Sequence, residues 1–224
     1  MFKPRSLARK LAGRTRLTTL AAFLVVLAVA VPVFAAMNDF TSTNNGDTAG
    51  TTVVVAKPSG LAVGDVMVAS VAYRGPTTTS ITAPSVGWAL IAKRTNTQNP
   101  APHTTLATYW KTADNADVAA TNFTWTLSVG ARAFGGIARY DDVDGSTNPV
   151  LVNASTPSTD SNQGASANPT APSVTTPATA PGAYVTAIYA MSDGTAITAG
   201  PPSMSPLYNN ARTTGHRSGS PRRV

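Results

Sequence analysis

Apolar and polar residues alternate with a period of two along Asn122–Ser128. Phe123, Trp125 and Leu127 share one face and Thr124, Thr126 and Ser128 the other, which predicts a strand with one wet face. Asp65–Tyr73 and Ala183–Met191 are apolar on both faces, the pattern of strands covered from two sides. Further strands are predicted over Thr51–Ala56, Trp88–Arg94, Thr104–Lys111, Ala131–Tyr140 and Val150–Ala154. No window keeps an apolar helical period over three turns.

Turn residues punctuate these runs. Lys57-Pro58-Ser59-Gly60, Val63-Gly64-Asp65, Ala83-Pro84-Ser85 and Asp144-Gly145 are chain-reversal sequences. Residues 155–181 are rich in Ser, Thr, Asn, Pro and Ala, and predict a long connection with at most one strand, at Ser173–Thr176. Short strands at regular spacing and one long crossing predict an all-β chain: an antiparallel β-sandwich of jelly-roll or Greek-key type. The domain spans residues 40–210, and residues 211–224 read as a disordered basic tail. Gly64–Ala72 is echoed by Gly182–Ala190, and Ile81–Pro84 by Ile197–Gly200. The echo reads either as two similar strand-turn-strand halves or as coincidence in an Ala/Thr/Val-rich background.

Ahead of the sandwich, residues 1–18 are basic without an acid, and residues 20–36 are apolar throughout. This predicts an N-terminal signal or transmembrane helix over residues 1–35. Small residues at Val33 and Ala35, behind Pro32, form a cleavage pattern before Ala36. The other reading is an uncleaved anchor, since 17 apolar residues reach the lower edge of a spanning helix. The basic residues include no consecutive Arg pair, so the general secretory route is expected, with a secreted or cell-envelope product. The membrane is met only through this segment.

The formal charge of +7 changes meaning once it is located. Six cations lie in the first 16 residues and four in the last 13. Between residues 37 and 211 seven cations face all ten acids, a net of −3. Nucleic-acid binding needs clustered cations to displace phosphate counterions, so no nucleic-acid partner is expected. Every acid is Asp and none is Glu, a bias toward turns and away from helix. Cysteine is absent, which removes disulfides, thiolate nucleophiles and Cys-based zinc sites.

Four stretches carry a resemblance: Lys57–Ala69, Ile81–Trp88, Gly135–Asp144 and Ala171–Thr176. Their order resembles a loosely defined family of exported bacterial and phage-associated β-sandwich surface modules, over roughly residues 50–208. The resemblance implies a jelly-roll-like surface or adhesion module and brings no catalytic set with it. Such modules usually finish with further apolar strands, which Thr213–Val224 does not resemble. The expectation is a chain truncated or frame-shifted near residues 201–210, with an open sheet edge.

Candidate chemistry is sparse. Asp141, Asp142 and Asp144 form the densest acid cluster and read either as calcium ligands or as a polar turn. The spacing lacks the later ligands of an EF-hand loop, which favours the turn. His103 and His216 are the only histidines and lie far apart in sequence, a poor start for a metal site. No Gly-x-Ser-x-Gly elbow and no phosphate-cradling loop occurs, so neither catalysis nor a cofactor is expected. Aromatic residues remain. Trp125 reads as core, and so does Trp110, which turns its neighbour Tyr109 outward. Trp88, just after Gly87, and Tyr109 are the candidate ligand-binding residues. The expected function is a non-catalytic structural or adhesion module of the cell envelope, with other surface proteins or glycans as partners; the alternative is a carbohydrate-binding module using surface aromatics. A hydrolase is the disfavoured third reading.

Overall fold

The computed structural model describes residues 40–44, 49–97, 102–141, 143 and 186–191, together with short strands at 205–206, 209–211, 217–219 and 222–223. The export segment, Val150–Ala154, Ser173–Thr176, Asp142, Asp144, residues 182–185 of the first echo partner and all of Ile197–Gly200 lie outside the described residues.

The described chain is almost entirely antiparallel β-sheet. Its strands are β1 (Phe40–Asn44), β2 (Gly50–Ala56), β3 (Val66–Gly75), β4 (Ile81–Thr82), β5 (Ala89–Asn96), β6 (His103–Thr112) and β7 (Asn122–Tyr140). Short strands follow: β8 (Tyr189–Met191), β9 (Ser205–Pro206), β10 (Asn209–Ala211), β11 (Arg217–Gly219) and β12 (Arg222–Arg223). β11 lies between β10 and β8, and β12 pairs with β9, so residues 217–219 and 222–223 of the basic tail are paired. Among the described residues one helix occurs, α1 (Asn115–Ala119), of five residues.

β7 organises the rest. The two strands predicted at Asn122–Ser128 and Ala131–Tyr140 are one continuous strand of 19 residues. Ordinary strands run about 3–10 residues, so one of this length must bend to stay within a small domain. The bend falls at Ser128, Val129 and Gly130, all exposed. One edge of β7 carries β1 and then β2, with Asn44 opposite Phe134, Thr52 opposite Thr126 and a register shift between Gly50 and Thr52. The other edge carries β3 and then β4, with Arg74 opposite Arg132 and Ile81 opposite Leu127. A three-stranded ribbon therefore turns over as a unit. At the corner Ser128 donates its N–H to Ser80 O (3.0 Å), and Ser80 donates back to Ser128 Oγ (2.9 Å). Buried Tyr73 donates its hydroxyl to Thr79 O at 3.0 Å, and Lys93 Nζ donates to the same carbonyl at 2.7 Å.

The two halves of β7 end up facing each other. The first half, with β2, supplies Phe123, Trp125, Leu127, Val53 and Val55. The second half, in a sheet of order β1-β7-β3-β6-β5, supplies Ala133 and Ile137, joined by Met67, Ala69, Val71, Tyr73, Ala107 and Tyr109 of β3 and β6. Gly135 marks the closest approach: a Cβ there would come 2.7 Å from Val55 Cγ2 and 3.0 Å from Val53 Cγ1. Outside, the first half presents Thr126, exposed, beside Thr52 and Thr82 of its neighbours, so the predicted wet face of Asn122–Ser128 is present.

The main sheet is covered on its second face as well. Phe134 and Ala72 are fully buried there, and Ser70, Val66, Ala138 and Tyr140 nearly so. β8 lies against β6, β11 lies against β3 and β7, and Tyr140 shares a 2.9 Å hydroxyl–hydroxyl hydrogen bond with Thr186. β5 closes one side of the sheet. Its register shifts between Leu90 and Ala92, and Lys93 and Arg94 follow the irregularity. A bulge and charges of this kind blunt a strand edge.

Gly135→Ala is expected to destabilise the protein by about 1–3 kcal/mol, because the added methyl group has no room against Val53 and Val55. Gly130→Ala at the corner, where the nearest atom lies 3.9 Å away, is expected to stay within about 0.5 kcal/mol of the parent. Urea denaturation of both variants checks the contrast.

Candidate functional site

Inward-facing positions of β6 follow the alternation Thr105, Ala107, Tyr109, Lys111, all buried. Tyr109 is therefore inside, 5% exposed, with its ring centroid 6.2 Å from that of Trp125. This corrects the expectation that Tyr109 points outward; the half-buried neighbour on the opposite face is Trp110. The row is set by pairing: Tyr109 lies opposite Ala69 of β3, itself fully buried in the core. Burial, and secondarily the nearby Tyr73, push the Tyr109 hydroxyl up to about 12. Burial likewise raises Tyr140, against a smaller opposing effect of its hydrogen bond to Thr186.

Trp88 is half-buried and meets two core rings edge-on. Its centroid lies 5.3 Å from Trp125 at 65° and 5.7 Å from Phe123 at 79°. Such T-shaped contacts add roughly 0.5–1.5 kcal/mol each beyond area burial. Trp88 thus caps one end of the core. The buried Nε1 atoms of Trp88 and Trp125 have no acceptor among the described residues. Trp88 and Tyr109 both contact Trp125, but one at the margin of the core and the other inside it. They do not share a surface platform on which a sugar ring could stack.

The acids are engaged with cations. Asp141, the one described member of the Asp141/Asp142/Asp144 cluster, accepts from Arg139 Nη2 at 3.1 Å. Arg139, 8% exposed, also pairs through Nε with Asp65, 6% exposed. Asp65 Oδ2 in turn accepts the Ala62 N–H at 2.8 Å. The turn at Ser59–Gly60 lies over this guanidinium, where Gly60 has φ +67° and a Cβ would stand 2.9 Å from Nη1. The left-handed backbone favours glycine here, and a Cβ would crowd the end of the guanidinium. The Lys57–Gly60 turn is thereby fixed to the end of β7.

A second cluster lies at the end of β6. Lys111, 5% exposed, reaches Asp117 Oδ2 at 2.7 Å and Oδ1 at 2.9 Å, and Asp114 Oδ2 at 3.0 Å. Asp117 is 3% exposed. Asp114 caps α1, accepting from the Ala116 and Asp117 amides at 2.8 and 3.0 Å, and its own N–H donates to Asp117 Oδ2 at 2.9 Å. This reciprocal box explains how a helical turn forms in a chain without helical periodicity. Lys57 Nζ donates to Val118 O at the other end of α1. Burial pulls Lys111 down, but its hydrogen bonds and charge contacts with Asp117 and Asp114 outweigh that and hold it above the ordinary lysine value. The Asp117 amide, then Lys111, hold Asp114 below the usual carboxylate range. Gly87, φ +99°, lets the chain pass over the lysine stem: a Cβ there would stand 2.9 Å from Lys111 Cε.

Lys111, Asp114, Asp117, Asp65 and Arg139 had no assigned role in the sequence reading. The available signal was placement: Lys111 lies in the same alternating row as Ala107, and Arg139 in the same row as Ile137. A cation in an inward row needs a buried partner. Among the described residues no group of three or more acids and histidines converges in metal-binding geometry. Comparison with models of known families, with curated proteins and with solved structures gives no match.

Arg139→Met is expected to cost about 3–5 kcal/mol, because it leaves Asp65 buried without its counter-charge. Chemical denaturation measures the loss, and an unchanged midpoint would contradict it. Tyr109 is neutral in the folded state to about 12, whereas in the unfolded chain it ionises near 10. The raised value therefore stabilises the fold fully below pH 10, and the contribution declines as pH rises between these limits. Tyr109→Phe is expected to flatten the alkaline part of the stability–pH curve, followed by thermal melts from pH 8 to 12.

Proposed function

We propose that this chain is an exported, non-catalytic structural or adhesion module of the cell envelope or extracellular space, built as an antiparallel β-sandwich of jelly-roll or Greek-key kind. The observation that carries the reading is the use of its carboxylates. Asp65, Asp114, Asp117 and Asp141 are the acids among the described residues, and each is paired with Lys111 or Arg139. These pairs fasten loops to the sheet. General acid–base chemistry asks for a carboxylate within reach of a substrate proton, and four acids already paired with cations suit a structural scaffold better. Face-to-face packing of the two halves of β7 at Gly135 supports the sandwich reading. The hydroxyl-bearing outer row of Thr52, Thr126 and Thr82 suits a surface that stays in water. Export rests on the basic-then-apolar pattern of residues 1–36. Burial of Tyr109 withdraws one of the two aromatic residues on which a glycan-binding reading depended.

Fractionation of bacteria producing the full chain tests the localisation. Product is expected in the envelope or the medium, and product confined to the cytoplasm would refute export. Beads coated with the protein are expected to adhere saturably to cells or to matrix proteins, with glycan arrays blank. Array binding that disappears in Trp88→Ala would instead favour carbohydrate recognition.

A further inference from the structure

The row of the main sheet nearest the corner of β7 gathers cations without acids. Arg74 of β3 stands directly opposite Arg132 of β7 on one side and Thr104 of β6 on the other. Side chains directly opposite in an antiparallel sheet share a face, and this face is the one that carries Ala72 and Phe134. Arg94 of β5 stands one row further in, opposite Leu106, on the same face. Like charges placed directly opposite destabilise a sheet. Asp65, Asp114, Asp117 and Asp141, the acids among the described residues, are paired with Lys111 or Arg139 and form no ion pair with these three arginines. Arg74 Nε donates to Pro102 O at 3.1 Å and Arg94 Nη1 to Lys93 O at 3.2 Å, contacts that leave both charges uncompensated. Thr104 adds an independent sign. It is 9% exposed, and its Oγ1 is buried with no hydrogen-bond partner among the described residues. A buried hydroxyl ordinarily has one.

We propose that Arg74, Arg132 and Thr104 bind a phosphoryl group carried as a monoester on a larger molecule, with Arg94 adding charge from the neighbouring row. A guanidinium can offer parallel N–H donors to two oxygens of a tetrahedral anion. Arg74 meets Pro102 O through Nε, which leaves its Nη pair for the anion. The Thr104 hydroxyl supplies a further donor from the floor of the row. A phosphomonoester carries about −1.5 to −2 near neutral pH, a charge that two guanidiniums balance. A phosphodiester carries only about −1, a poorer match. Phe134 and Ala72, fully buried in the adjoining row, place an apolar wall beside the site, where charged hydrogen bonds strengthen. Arg132 is exposed, so the site is open on that side and the rest of the ligand can extend into water. The inference is independent of where the protein acts.

Titration of the full chain in a non-ionic detergent, followed by amide chemical shifts, tests it. Glycerol phosphate and inorganic phosphate are both expected to shift the amides of residues 74, 104 and 132 saturably, in the millimolar range. Shifts still linear at about 50 mM would overturn the proposal, as would saturation confined to other residues. Binding of inorganic phosphate with exclusion of glycerol phosphate would overturn the assignment to an attached phosphoryl group. Dimethyl phosphate binding more tightly than glycerol phosphate would overturn the monoester. Arg132→Gln is expected to weaken glycerol phosphate by about tenfold or more, the loss of one charge-assisted contact. Unchanged affinity in that variant would overturn the site. Thr104→Val removes an unpartnered hydroxyl and no contact of the fold, so it is expected to keep or raise thermal stability while weakening binding several-fold. A folded Thr104→Val protein that binds as wild type would overturn the role of the hydroxyl.

Discussion

The approach of the two halves of β7 across the core, with Gly135 against Val53 and Val55, is the constraint on which the architecture depends. A strand of 19 residues cannot stay straight in a domain this small, so it folds back, and both of its neighbours fold with it. Because side chains alternate, one row on each half turns inward: Phe123, Trp125 and Leu127 on the first, Ala133, Gly135 and Ile137 on the second. Gly135 on the second half makes room for Val53 and Val55, the neighbours of the first half. This complementarity lets two layers close at interior density without overpacking.

Charge then fastens the periphery to that core. Arg139 holds Asp65 and Asp141, while Lys111 holds Asp114 and Asp117. Both cations stand in inward rows near strand ends, where they add ion pairs to the backbone hydrogen bonds that already join the turns at 57–65 and 113–121. Two glycines with positive φ, Gly60 and Gly87, let backbone pass directly over the charged side chains. The ion pairs therefore specify where loops sit. That role differs from adding stability over a hydrophobic alternative, which buried pairs often do not do.

Much of the sheet was legible in the residue pattern. β2, β3, β5 and β6 fall within two residues of the predicted limits, because β-branched runs bounded by Pro and Gly mark strands well. Trp125 reads as core and is fully buried. The join of two predicted strands into β7 was not legible, because Val129-Gly130 resembles a turn and only pairing on both edges keeps it extended. The face of Tyr109 was misread for a similar reason: Tyr109-Trp110 offers two large aromatics in succession, and the pairing with β3 decides which goes inside. α1 depends on side-chain capping by Asp114, which leaves no periodic trace. The buried clusters escaped notice because Lys111 and Asp117 form a site only after the chain reverses between them.

The order in which the chain is made has a consequence for β7. Among the described strands β1, β2 and β4 pair only with β7, so Phe40 waits for Ala138. A chain synthesised from its N-terminus can form the β3–β6 and β5–β6 ladders early, yet it cannot close the ribbon until residue 140 has emerged. The second face of the sheet waits longer still, for Thr186 to reach Tyr140. Late commitment of this kind leaves β1, β2 and β4 without their partner until the last strand of the main sheet has been made.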